Sequence, residues 1–156
     1  MAISTRNLLS VADLGAEDIW HLIEKAVSLK QRERKAYLKR KVLALLFEKH
    51  SLRTRVSFEV AMWQLGGNTL YLSPDEVGLG KREKVSDVAR TLSRYVDGIV
   101  ARTFSHQTVE LLAQYAQVPV INGLTDKYHP CQVMADMMTV LERKGRIEGL
   151  RITYLG

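Results

Sequence analysis

The sequence predicts an α/β fold: a doubly wound parallel sheet of about four strands flanked by helices, in three α/β/α layers. Short apolar runs alternate with helical stretches of about 10 to 15 residues, the pattern of βαβ units. The first such run, Val42 to Leu46, is apolar without interruption, as a strand covered on both faces should be. A chain of 156 residues is also the size of one ordinary domain, able to bury well over half of its unfolded surface without a staple.

Ile19, Leu22, Ile23 and Ala26 recur at i, i+3, i+4 and i+7, which predicts a helix from residue 16 to about 36 with one buried face. A strand over 41–47 follows, then a helix over 54–65 closed by Gly66 and Gly67, where a left-handed cap suits glycine. Residues 69–72 read as the second strand. Pro74, Gly78 and Gly80 among alternating charges predict a mobile loop over 73–84. The pattern then repeats: helix 86–95, strand 98–102, helix 106–117, strand 118–121 and helix 130–143. Residues 151–156 read as the start of a fifth strand. The expected organisation is therefore one domain over 1–149 and the beginning of a second, absent domain at 150–156.

Composition narrows the function classes. A single cysteine, Cys131, excludes an internal disulfide framework and suits a reducing compartment. The N-terminal stretch lacks a basic flank before a long apolar core, so it does not read as a secretory signal, and no segment approaches a membrane span. The expected setting is cytoplasmic, with no membrane partner. The net charge of +6 is concentrated in residues 30–41, read here as the solvated continuation of the first helix. That run lacks interleaved aromatics beyond Tyr37 and any nucleic-acid-binding signature, so no nucleic-acid partner is expected. Excess positive charge also attracts small polyanions.

Ligands of open α/β sheets bind beyond the carboxyl ends of the strands, near the reversal of strand order. Three sets of residues occupy those ends and are expected to converge: Ser51, Arg53, Thr54 and Arg55; Arg102, Thr103 and Ser105; and Asn122, His129 and Gln132. The first set opens a helix, whose free N–H groups and positive dipole end favour an anion. Arg53 offers a bidentate fork to phosphate oxygens, and Ser51 and Thr54 offer hydroxyls. Simple capping by Ser51 with solvated arginines explains one of these residues but not the group. No Walker or dinucleotide glycine pattern follows the first strand, so a small phosphorylated metabolite fits better than a nucleotide.

His129 stands at the mouth of a helix begun by Pro130, with Gln132 about one turn in. An imidazole and a carboxamide there can polarise a carbonyl and hold an amide nitrogen; a capping histidine and a solvated glutamine are the plainer alternative. Cys131 reads as a packing residue rather than a nucleophile. His106 reads as a first-turn helix residue, and no Cys/His spacing supports a metal.

FEKHSLRTRVSFE (47–59), LGG (65–67), DVARTLSRYVDGIVART (87–103), VPVINGLTD (118–126) and HPCQVMAD (129–136) together resemble the amino-terminal, carbamoyl-phosphate-binding domain of the ornithine carbamoyltransferases. The resemblance implies transfer of a carbamoyl group from carbamoyl phosphate to ornithine, with neither metal nor organic cofactor. It implies that Ser51, Arg53, Thr54 and the backbone N–H of Leu52 hold the phosphate. Arg102, His129 and Thr54 would bind and polarise the carbonyl oxygen, and Gln132 would hold the carbamoyl NH₂. It further implies that ornithine is bound chiefly by a second domain, so that this chain alone is expected to bind rather than to turn over, and that catalytic trimers assemble largely through this domain. Two positions depart from the family pattern: Leu52 replaces a threonine, and Gly78 stands where many relatives carry a glutamine or histidine. Lys81 or Arg82 would then supply a loop cation. The competing readings are a carbamoyltransferase for aspartate, putrescine or acetylornithine, and a non-catalytic anion-binding or assembly module.

Overall fold

The computed structural model describes residues 3–31, 35–79, 82–153 and 155. Four strands form one parallel sheet: β1 (Val42–Phe47), β2 (Asn68–Leu72), β3 (Gly98–Arg102) and β4 (Val120–Leu124), in the order β2-β1-β3-β4. The chain runs outward from β1 to β2, crosses back over β1 to β3, and continues to β4. The reversal lies between β1 and β3, which are paired neighbours in the centre of the sheet.

Among the described residues six α-helices accompany the sheet: α1 (Ala16–Gln31), α2 (Leu52–Gln64), α3 (Pro74–Val77), α4 (Val85–Leu92), α5 (His106–Tyr115) and α6 (Pro130–Lys144). Alternation along the strands divides the core. Ala44, Leu46, Ile99, Ala101 and Val120 pack with Val88 and Leu92 of α4 and Val109 and Leu112 of α5. On the opposite face Leu45, Phe47 and Val100 pack with Phe58 of α2, Tyr71 and Ile121. α6 packs against β4 and against α1.

Boundaries shift where local chemistry decides them. Pro119 has no N–H to give to a ladder, and β4 begins at Val120 and runs on to Leu124, with an irregularity opposite Ala101 and Arg102. The helix expected from residue 54 begins at Leu52, because Ser51 is its extended N-cap. α1 is described to Gln31, residues 32–34 lie outside the described residues, and 37–40 form turns rather than more helix. The Leu38 N–H there donates to Leu65 O at 2.8 Å. Gly66 takes the expected left-handed conformation, φ 83°, and an added Cβ would lie 2.8 Å from Ala36 Cβ.

The loop expected over 73–84 is refined where it is described: Ser73 and Glu76 form a capping box around α3, with Pro74 at its start, and Leu79 is buried and bridges to Glu83. Reading Pro and Gly as breakers hid a helix-start signal in S-P-D-E. Arg151, Ile152, Thr153 and Leu155 are exposed and add no strand to this sheet. No helix among the described residues is long and apolar enough to cross a membrane.

Candidate functional site

The carboxyl ends of β1 and β3 are tied together. The Glu48 N–H donates to Arg102 O at 2.8 Å, and Glu48 Oε2 accepts from the Phe104 N–H at 2.8 Å. This fixes the start of α2 beside the end of β3. Ser51 Oγ accepts from the Thr54 N–H at 3.4 Å and donates to Thr54 Oγ1 at 3.0 Å. Arg102 Nη1 reaches from β3 to the same Thr54 Oγ1 at 3.3 Å. A hydroxyl oxygen that accepts twice keeps its own proton for a third partner.

Between the first turns of α2 and α6 lies a cleft of about 250 Å³ lined by Arg53, Thr54, Ser57, Phe58, His129, Cys131, Gln132 and Ala135. His129 occupies the N-cap position of α6, but its side chain caps nothing. Its Nδ1 is buried without a hydrogen-bond partner, and so is Nε of Arg102. Buried polar atoms left unpaired are costly; His129 lines the cleft, and Arg102 meets it through Thr54.

The electrostatics point the same way. Burial, then the nearby Arg53 cation, lowers the Arg102 pKa. Burial, then Arg102, pushes His129 below its ordinary range, and Asp136 partly opposes them. Arg53 is exposed and makes no hydrogen bond or ion pair among the described residues. Cations crowded at a helix N-terminus repel each other and are relieved by an anion. Leu52 is 78% exposed, so its side chain packs against little, while its backbone N–H is one of the free donors of the first turn of α2.

Not every residue at the strand exits joins this cleft. Arg55 turns away, stacking on Tyr71 at 3.9 Å and pairing with Glu59 through Nε at 2.9 Å. Thr103 is fully buried and donates to Ser105 O at 2.8 Å. Ser105 caps α5, accepting from the Gln107 N–H. Asn122 is fully buried and internally satisfied: Nδ2 donates to Leu9 O and Tyr128 O, and Oδ1 accepts from the Leu124 N–H. These polar groups bind the framework because short side chains at strand ends satisfy nearby backbone first. His106 is the first residue of α5, with Nδ1 against Thr125 Oγ1 at 3.1 Å and its ring edge-on to Tyr128. Cys131 Sγ lies 3.7 Å from Asn122 O as a packed thiol.

Lys81 lies outside the described residues; Arg82 is exposed, its N–H donating to Gly78 O at 2.7 Å, and it does not line the cleft. Gly78 caps α3 in the left-handed conformation, φ 54°. The sequence reading missed Ser57, Phe58, Ala135 and Asp136. Ser57 and Asp136 were visible as the residues three and four positions beyond Thr54 and Gln132, the spacing that shares a helix face. Among the described residues no group of three His, Cys, Asp or Glu gathers as a metal site.

The family model for the aspartate/ornithine carbamoyltransferase carbamoyl-P binding domain matches residues 6–142, a span holding all five of the segments quoted above. The chain belongs to this family. As a carbamoyl-P binding domain it is 49% identical over 154 residues to an ornithine carbamoyltransferase of Bacillus thuringiensis, covering 99% of this chain and 49% of that relative. Two solved structures match closely. The ornithine carbamoyltransferase of Pyrococcus furiosus gives a TM-score of 0.91 at 48% identity, covering 96% of this chain and 50% of that one. The Thermus thermophilus enzyme gives 0.89 at 50% identity, covering 94% and 51%. An acetylornithine transcarbamylase complexed with acetylcitrulline matches with 0.84 at 34% identity, covering 90% and 48%. The chain thus spans about half the length of the relatives it matches.

Proposed function

We propose that this chain is the carbamoyl-phosphate-binding half of an ornithine carbamoyltransferase and that the cleft between α2 and α6 is its substrate site. The observation that carries the reading is the pair of unpaired buried nitrogens, Arg102 Nε and His129 Nδ1, near the free N-terminus of α2. The phosphate is held by Ser51, Arg53, Thr54 and the Leu52 N–H. Arg102, His129 and the Thr54 hydroxyl face the carbonyl oxygen, and the Gln132 carboxamide takes the NH₂.

In the reaction, the ornithine amine attacks the carbonyl carbon. A C–N bond forms, the C–O bond to phosphate breaks, and the proton shed by the amine is taken up by the departing phosphate. Negative charge builds on the carbonyl oxygen and then on the departing phosphate. Fixed donors at both places stabilise the transition state, each contributing about 2.7 to 4 kcal/mol. His129 contributes as a neutral donor, consistent with its lowered pKa. Ornithine is bound chiefly by the second half present in relatives of twice this length, so this half alone binds carbamoyl phosphate with weak or no turnover. Residues 150–156 lead towards that half. The whole protein acts in arginine biosynthesis in the cytoplasm as a homotrimer assembled through this domain. Ornithine is preferred as acceptor over acetylornithine because identity to the ornithine enzymes runs from 37% to 50%, against 34% for the acetylornithine enzyme.

Calorimetric titration of carbamoyl phosphate and inorganic phosphate tests the reading. Saturable binding should weaken roughly tenfold or more in Arg53→Ala, because a charge-assisted hydrogen bond is worth about 1.5–3 kcal/mol. Unchanged affinity in that variant contradicts the assignment of the phosphate site.

A further inference from the structure

Gln132 is not free to turn. Its Nε2 donates to Asp136 Oδ1 at 2.8 Å, one turn further along α6. A carboxylate only accepts, so this bond decides which end of the carboxamide is committed to the helix surface. With Nε2 held by Asp136, Oε1 is the atom left for a ligand in the cleft that Gln132 lines. An NH₂ group needs an acceptor, and an unrestrained carboxamide presents its own NH₂ as readily as its oxygen.

Asp136 is otherwise unoccupied. Among the described residues it makes no ion pair, although Arg53 and His129 line the cleft that Gln132 shares. It is close enough for His129 to feel its charge. An ordinary exposed pair at this spacing contributes only about 0.2–0.5 kcal/mol to a helix, which gives stability but no ligand preference.

We infer that Asp136 is a positioning residue that holds the Gln132 carboxamide with its oxygen towards the carbamoyl NH₂, so that the site prefers carbamoyl phosphate to phosphate alone. The inference rests on the substrate site proposed above. Asp136 acts through Gln132 and does not touch the substrate.

The test titrates freshly dissolved carbamoyl phosphate and, separately, inorganic phosphate into the chain and into Asp136→Ala, Asp136→Asn, Gln132→Ala and the double variant Gln132→Ala/Asp136→Ala. In Asp136→Ala the affinity for carbamoyl phosphate should fall about twofold, because a carboxamide free to turn presents its oxygen about half of the time. Phosphate affinity should hold or tighten slightly, since a negative charge has gone. Asp136→Asn can donate as well as accept, leaves the Gln132 carboxamide free to reverse, and should lose the preference as Asp136→Ala does. In the Gln132→Ala background the Asp136→Ala change should have no further selective effect, as expected of two residues acting as one unit. An equal change for both ligands in Asp136→Ala, or a selective loss that survives without Gln132, overturns the inference while leaving the substrate site standing. A parent chain that binds neither ligand overturns the substrate site itself, and the inference with it.

Discussion

Cys131 is the only thiol in the chain, so its chemistry can be read without ambiguity. Burial pushes its pKa up from an ordinary 9.0 to about 11. At pH 8 the thiolate fraction falls from about a tenth in the unfolded chain to about a thousandth in the folded one, a hundredfold loss for a shift of about two units. A more basic thiolate is also the better nucleophile: with a Brønsted slope of about 0.4–0.5, two units return about six- to tenfold. The net expectation is a reaction with an aromatic disulfide reagent at least about tenfold slower in the folded chain than in denaturant at pH 8. Its rate should keep rising to about pH 11, where the unfolded chain levels off near 9.

Stability follows with a definite sign. The folded state retains its thiol proton while the unfolded state releases it, so stability is lost as pH rises above 9. At pH 10 the loss is about 1.4 kcal/mol, reaching about 2.7 above both pKa values. Comparing the pH slope of urea unfolding for the chain and for Cys131→Ala isolates it. A reactivity plateau below pH 9, or equal rates folded and unfolded, refutes the packed thiol and returns Cys131 to the candidates for chemistry.

Other expectations concern the supports of the fold and the site. His129 should titrate below 6.5 by imidazole NMR, and Arg102→Ala should raise its midpoint; its share of stability is lost as pH falls through 6.5, because the unfolded state takes up the proton first. Asp97, held down by Lys41 Nζ at 2.7 Å and the Val42 N–H at 2.9 Å, is the opposite case. Its contribution is present above the unfolded value of 3.8 and lost on acidification through the lower folded one. At an exposed pair it is under about 1 kcal/mol, and Asp97→Asn should flatten the acid limb of the urea midpoint. Gly78→Gln should lower the urea midpoint by the equivalent of about 1–2 kcal/mol, because the position is left-handed and the new Cβ would lie 2.9 Å from Arg82 Cβ.

Strand identity was legible because Val42, Leu43, Ala44, Leu45 and Leu46 leave no polar face, and β1 is indeed central. The first-turn donors of α2 were legible because a serine cap followed by cations and a threonine has few other uses. What could not be read was direction. Arg55 is two residues from Arg53 on a helix and therefore points elsewhere, onto Tyr71, a partner supplied by another strand. Asn122 looks like a ligand in one dimension, yet in three it satisfies Leu9, a segment far away in sequence.

The Arg102–Thr54 hydrogen bond spans 48 positions and joins segments that only the central β1–β3 pairing brings together. His129 arrives from a further crossover. No hairpin-sized fragment of this chain therefore contains a partial site, and partly folded forms lacking the middle of the sheet should have none of its affinity. A ligand here selects for the completed sheet as a whole. Added during refolding, it should leave early steps unaffected, slow unfolding, and make occupancy a report on whether the last long-range pairing has closed.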